Sequence, residues 1–188
     1  MDIDCSREEL QLFERIGGAA ELLGVNCFVI GGFVRDKLLG RLTKDVDIVC
    51  TGDGIELANA VASTFRSKPQ VNFFKHFGTA QFRIVGLDIE FVGARRDVDS
   101  AEARKPTVEP VTIENDQRRR DFTINAMAIS LNAVDYGKLI DPFHGLTDLR
   151  AGLIRTPLDP LRTFSDDPLR MLRAIRFATQ LGFTIDPR

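Results

Sequence analysis

The chemically loaded part of the chain is the stretch GGFVRDKLLGRLTKDVDIV, which begins at Gly31. It sets a glycine pair, Gly31 and Gly32, ahead of a lone arginine, Arg35, and then two aspartates, Asp45 and Asp47, one residue apart. Side chains alternate faces along a strand, so Asp45 and Asp47 point the same way and can hold a divalent cation between them. Two hard, anionic oxygen ligands at that spacing suit Mg²⁺, which also takes oxygens from substrate phosphates. Upstream, Gly31 and Gly32 have no Cβ to keep a phosphate off the backbone, and the helix that follows offers free N–H groups. Arg35, one turn into that helix, adds a cation with a forked donor set. A glycine pair after a strand is by itself most often a turn, and Asp-x-Asp on a strand edge most often faces solvent. The combination, in this order, reads as a polyphosphate-plus-metal site suited to phosphoryl or nucleotidyl transfer.

The flanking sequence supplies elements to position these groups. Ser6-Arg7-Glu8-Glu9 has capping-box spacing and opens an amphipathic helix through about Leu23, with Gly17 and Gly18 as the place for a break. CFVI reads as a buried strand, Gly31-Gly32 as a turn, FVRDKLL as a short helix stopped by Gly40, and VDIVC as a second strand. Residues 55–65 read as a helix. AQFRIV and LDIEFV form a hairpin pivoting on Gly86, and Glu90 on its second strand is a candidate third carboxylate. The polar residues 95–118 are expected to be mobile. TINAMAIS is expected to be a helix, and IDPFHGLTDLRAGLIRT a turn, a helical turn and a short strand. From Pro160 onward the pattern is purely helical, which puts a domain boundary near Pro157, between residues 1–156 and 157–188.

With 188 residues, 44% of them hydrophobic, the chain can bury one core plus part of a second. Its net charge of −2 offers no overall attraction for nucleic acid. Basic residues instead cluster in GARR at Gly93, QRRRDF at Gln117 and the arginine series from Arg170 to Arg176. No apolar run approaches the roughly 20 residues of a membrane span, and the polar N-terminus carries no signal-peptide pattern, so a cytoplasmic location is expected. Cys5, Cys27 and Cys50 are odd in number and lack metal spacing, which fits reduced packing thiols.

GGFVRDKLLG followed by DVDIV resembles the first motif of the class II tRNA nucleotidyltransferases, the CCA-adding enzymes and their bacterial poly(A) polymerase relatives, within the polymerase-β-like superfamily. RRDFTINAMA from Arg119, DPFHGLTDLRAGLIR from Asp141 and DDPLRMLRAIRFATQLGF from Asp166 agree in order, so the resemblance runs from about Cys27 to the last residue. It implies an α/β (α+β) fold, a nucleotidyltransferase head with a mixed β-sheet flanked by helices, followed by the start of an all-helical neck. It also implies that Gly31, Gly32 and Arg35 meet a triphosphate, and that Asp45 and Asp47 bind the catalytic Mg²⁺ ions. Arg120, Asp121 and Asn125 correspond to residues near the nucleotide sugar and phosphates. Asp167 and Arg170 match the pair that reads the Watson–Crick edge of CTP or ATP, and Arg173 and Arg176 match further nucleotide-binding positions.

Asp121 and Asn125, four apart, share a face if a helix begins there, although Asp121 or Thr123 alone also fits a helix N-cap. Asp167-Pro168 likewise has N-cap and N1 character. The implied reaction is template-independent transfer of CMP and AMP to the 3′ end of tRNA. The RNA 3′-hydroxyl, activated by one Mg²⁺, attacks the α-phosphate while a second Mg²⁺ and Arg35 stabilise departing pyrophosphate. CCA addition, CC-only or A-only addition and poly(A) synthesis share these motifs. Family members continue for roughly another domain or more, and the grip on tRNA is expected mainly there. Asp166 stands where glutamate is usual, and His144 replaces a common glycine and reads as structural. A Rossmann-type module is disfavoured because G-x-G-x-x-G is missing and Asp-x-Asp would be unexplained. A noncatalytic nucleotide- or RNA-binding module would not need both aspartates.

Overall fold

The computed structural model describes residues 1–74, 78–94 and 112–187. Helix α1 (Arg7–Leu22) leads into strand β1 (Cys27–Ile30), helix α2 (Gly32–Leu38), strand β2 (Asp45–Cys50) and helix α3 (Gly54–Ser63). Then come β3 (Asn72–Phe74), β4 (Thr79–Ile84), β5 (Leu87–Gly93), helix α4 (Ile113–Arg118), a 3₁₀ turn at Thr123–Asn125 and β6 (Ala128–Ser130). The remainder is β7 (Leu139–Ile140), α5 (Gly145–Ala151), β8 (Leu153–Ile154), α6 (Pro160–Asp166), α7 (Leu169–Leu181) and β9 (Thr184–Ile185).

Seven strands form one mixed sheet in the order β3-β4-β5-β2-β1-β6-β7, in which β2 and β5 pair in parallel and the other neighbours antiparallel. Alternation along the strands decides what each face carries. Val46 and Ile48 of β2, Val29 of β1, and Ile89 and Phe91 of β5 join one core with Phe13 and Ile16 of α1 and Leu57 and Val61 of α3. Full burial of such side chains is worth ~1.5–3 kcal/mol each. The opposite face buries less: Phe28, Ile30, Val49 and Ala128 pack against Ile113 of α4 and Ile140. Gln117 fastens α4 there, donating from Nε2 to the carbonyls of Ala126 at 2.7 Å and Ile140 at 3.0 Å. The expected mixed α/β architecture, a sheet flanked by helices, is the one found.

Local readings fare unevenly. The capping box at Ser6 is present, with Glu9 N–H donating to Ser6 Oγ and Ser6 N–H to Glu9 Oε2. Helix α1 passes Gly17 without a break, because a side chain there would run into the Leu131 carbonyl, so the glycine serves close approach and not a turn. The β4–β5 hairpin pivots as expected, with positive φ at both Val85 and Gly86. TINAMAIS is not a helix: after the 3₁₀ turn, Ala128–Ser130 pair with Ile30–Phe28 of β1 as a buried strand. Residues 95–111 of the stretch expected to be mobile lie outside the described residues, and its remainder carries α4. Nor is the chain purely helical after Pro160, since β9 pairs with β8 in parallel. No helix among the described residues is long and apolar enough to cross a membrane. Cys27 and Cys50 are buried and all three cysteines are free.

Candidate active site

Because Val46 and Ile48 turn into the main core, Asp45 and Asp47 leave β2 on the other face. Parallel register places Asp88 and Glu90 of β5 beside them, Asp45 against Asp88 and Asp47 against Glu90. Burial raises the pKa of Asp47 above the usual carboxylate value, the nearby Arg120 guanidinium opposes that, and Asp45 and Asp116 add to it. Glu90 is raised for the same first reason, burial, with Asp47 adding and Arg120 opposing. Among the described residues no side-chain hydrogen bond engages the carboxylates of Asp45 or Asp47, and Asp47 has only the charge of nearby Arg120 to offset its own.

Gly31 is where three parts of this face meet. Its backbone has φ +82 and ψ −136, and a Cβ there would stand 2.8 Å from Arg120 Nη1 and 3.2 Å from Asp47 Oδ2. Arg120 is held in that place by Asp116, one helical turn earlier, through a 3.0 Å contact from Nε to Oδ2. Arg35 is buried despite its charge. Its Nε and Nη2 fork onto both oxygens of Asp36 at 2.9 Å each, and Nη1 donates to Asn125 Oδ1 at 2.6 Å. Asn125 Nδ2 donates to Asp121 Oδ1 at 3.0 Å, and Arg173 grips Asp121 Oδ2 from Nε at 2.7 Å and Nη2 at 2.6 Å. One polar chain thus runs from α2 through the 3₁₀ turn to α7.

These groups enclose a cleft of about 370 Å³ lined by Gly32 and Arg35, Asp45 and Asp47, Arg120, Asp121 and Asn125, and Arg173 and Arg176. On the other side of the aspartate pair lies a second hollow of about 250 Å³, lined by Asn72, Gln81, Arg83, Asp88 and Glu90 as well as Asp45 and Asp47. The two carboxylates therefore stand between a cationic cleft and a separate hollow over the sheet. A larger hollow of about 440 Å³ lies among β8, α6 and α7 and includes neither aspartate.

Not every residue picked from the sequence joins the cleft. Gly31 lies beneath its wall. Arg170 donates from Nη2 to the Arg119 carbonyl at 2.7 Å and from Nη1 to the Thr163 carbonyl at 3.3 Å, away from the lining. Asp167 accepts from Leu169 N–H at 3.0 Å and sits 3.8 Å from Arg170 Nε. Asp166 is exposed, and His144 holds φ 60 and ψ 32, a left-handed conformation that glycine adopts freely. Sequence reasoning missed Asp36 and Asp116, which pair with Arg35 and Arg120, and Phe177, whose ring lies against Arg35, Arg173 and Arg176. The signals were present as helical spacings: Asp116 and Arg120 are four apart, as are Arg173 and Phe177.

Hard oxygen donors without internal partners are what Mg²⁺ requires, so the donor set fits that ion. Among the described residues no cluster of three or more His, Cys, Asp or Glu side chains converges on a metal position. A two-carboxylate site agrees with an ion that completes its shell from water and phosphate.

The family model described as the poly(A) polymerase head domain matches residues 27–155. An A-adding tRNA nucleotidyltransferase from Aquifex aeolicus is 48% identical over 161 residues, which are 86% of this chain and 19% of that protein. A solved structure of a tRNA-processing enzyme in apo form superimposes with a TM-score of 0.85 at 42% identity, covering 100% of this chain and 46% of the other. A CCA-adding enzyme in complex with ATP gives 0.84 at 40% identity, over 97% of this chain and 41% of its own. The chain spans less than half the length of each of these proteins. Matched over most of its length in sequence and in fold, the chain belongs to the poly(A) polymerase head-domain family.

Proposed function

We propose that this chain is the catalytic head, residues 1–156, and the start of the neck, residues 157–188, of a template-independent RNA nucleotidyltransferase. It transfers CMP and AMP from CTP and ATP to the 3′ end of tRNA, in the cytoplasm, with most of the grip on tRNA outside residues 1–188. The observation that carries this reading is the place of Asp45 and Asp47 between two hollows. A transfer between two substrates needs its charged centre between them, and here one side is rich in arginine while the other is open over the sheet.

The nucleoside triphosphate enters the arginine-lined cleft with its α-phosphate at the aspartates, and the RNA 3′-hydroxyl approaches from the second hollow. When bound, Mg²⁺ on Asp45 and Asp47 supplies the positive charge that lowers the hydroxyl pKa and offsets charge on the reacting phosphate. Arg35 and Arg176 stabilise the pyrophosphate as it departs, and the bare backbone at Gly32 lets the phosphates lie close. Arg120, Asp121 and Asn125 shape the floor under the sugar, and Arg173 steadies Asp121. Asp167 and Arg170 read the base edge, which requires Arg170 to exchange its two carbonyl partners for the base.

Replacing Asp45 or Asp47 with alanine in the full-length protein tests the assignment. We expect transfer to be abolished and the fold to persist, with melting no lower than wild type, because neither side chain is part of a core and burial disfavours the charged form of Asp47. The substrates are tRNA transcripts ending before, within and after CCA, offered CTP and ATP separately, which also sorts CCA, CC-only, A-only and poly(A) addition. Near-normal turnover in either variant would overturn the reading.

A further inference from the structure

Three guanidiniums share one aromatic ring. The Cζ atoms of Arg35, Arg173 and Arg176 lie 5.0, 5.3 and 4.7 Å from the centroid of Phe177. The ring is 6% exposed and meets Phe122 edge-on, with centroids 5.9 Å apart. Like charges gathered this closely repel, with the least solvent screening at buried Arg35 and the most at exposed Arg176. Two of the three are neutralised locally, Arg35 by Asp36 and Arg173 by Asp121. Arg176 is not: among the described residues its exposed side chain makes no hydrogen bond and no ion pair, and it rests against the ring.

An aromatic face carries the negative part of the ring quadrupole and attracts a guanidinium within about 6 Å of its centroid. We propose that Phe177 is a positioning residue of the triphosphate site, its ring gathering Arg35, Arg173 and Arg176 on the cleft wall and holding Arg176 ready for the incoming phosphates. The inference rests on the reading that this cleft takes a nucleoside triphosphate. Arg35 and Arg173 face the cleft with carboxylates already engaged. Arg176 brings the uncompensated charge, and resting on a rigid ring spares it part of the side-chain freedom it would otherwise lose on capturing an anion. Helical spacing makes the arrangement: Arg173 precedes Phe177 by four residues on the same face, and Arg35 reaches the ring from α2.

The test replaces Phe177 in the full-length protein with mono-, tri- and pentafluorinated phenylalanine, which keep the ring's shape while draining its negative face. Affinity for ATP with Mg²⁺ and for inorganic tripolyphosphate is measured by calorimetry, beside the melting temperature. We expect affinity for both probes to fall with each step of fluorination, by about tenfold (~1.4 kcal/mol) at the pentafluoro ring, with melting nearly constant. Phe177→Leu is expected to match the pentafluoro protein, and if it fails to fold the fluorinated series decides. Equal affinity across the series overturns the inference alone, as does a loss that follows melting temperature instead of fluorine content. Failure of the unmodified protein to bind either probe removes the triphosphate reading, and this inference with it.

Discussion

Adjacent glycines at the site should respond in opposite ways to the same substitution. At Gly31 the backbone lies at φ +82 and ψ −136, a region that residues with a Cβ occupy only under strain of ~1–3 kcal/mol. An added Cβ would also meet Arg120 Nη1 at 2.8 Å, Asp47 Oδ2 at 3.2 Å and the Asn125 carbonyl oxygen at 3.8 Å. The arginine tip can swing away, so the clash adds less than a rigid one would. Together these give Gly31→Ala a loss of about 2–3 kcal/mol, or about 4–12 °C in Tm for a chain of this size. Gly32 opens α2, and a Cβ there would find only Arg35 Nη2, at an ordinary 3.6 Å. Removing a glycine from a helical position limits the unfolded chain and contributes ~0.4–1 kcal/mol of stability. Gly32 nevertheless lines the cleft, so its added methyl should weaken triphosphate binding while melting holds or rises. Thermal melting and calorimetric titration with ATP and Mg²⁺, run on both variants, separate the two effects. Gly31→Ala melting with wild type, or Gly32→Ala melting as low as Gly31→Ala, would refute the reasoning.

Two further outcomes are expected. Burial raises the folded pKa of Asp47 above its unfolded value, so its contribution to stability is complete below the unfolded carboxylate range and is lost as pH rises through the raised value. Asp47→Asn should therefore melt above wild type at neutral pH without divalent metal, with the gap closing in acid. Melts in chelator from about pH 4 to about pH 8 check this, and a gap independent of pH would contradict it. Arg170→Ala should narrow the ratio of kcat/KM for CTP and ATP over that for UTP and GTP on one tRNA primer. A uniform fall for all four nucleotides would make Arg170 a brace that ties α7 to the carbonyls of Arg119 and Thr163.

The site was legible in the sequence wherever one local rule decided the geometry. Asp45 and Asp47 needed only the two-residue period of a strand, and the partner faces of that strand are assigned by the alternating Val46 and Ile48. The glycine pair announced a turn, and the structure gives Gly31 the positive φ that such a turn uses. What could not be read was which groups restrain which. Arg35 has a carboxylate next to it in sequence, an amide from residue 125 and a ring from residue 177, and only tertiary packing brings the last two to it. Glu90 shows the same limit: its alternation placed it on the right face of β5, but its nearness to Asp47 depends on the parallel pairing of β5 with β2.

The expected helix at TINAMAIS failed for a reason that also explains how the cleft is built. Its apolar run is buried on both sides, and for so short a run periodicity does not separate a helix from an inner strand. Arbitration came from β1, whose free edge accepts Ala128–Ser130 as a partner and leaves only Thr123–Asn125 to turn. That single 3₁₀ turn still brings Asn125 Nδ2 within 3.0 Å of Asp121 Oδ1, the contact a helix was expected to supply. A full helix would have carried Asn125 on without joining the sheet. The turn-then-strand arrangement instead ties Asn125, and through it Arg35, directly to the central strand that precedes Gly31. One short segment therefore closes the sheet beside β1 and fixes the cleft wall against it, so that changes in β6 packing should reach Arg35 through Asn125.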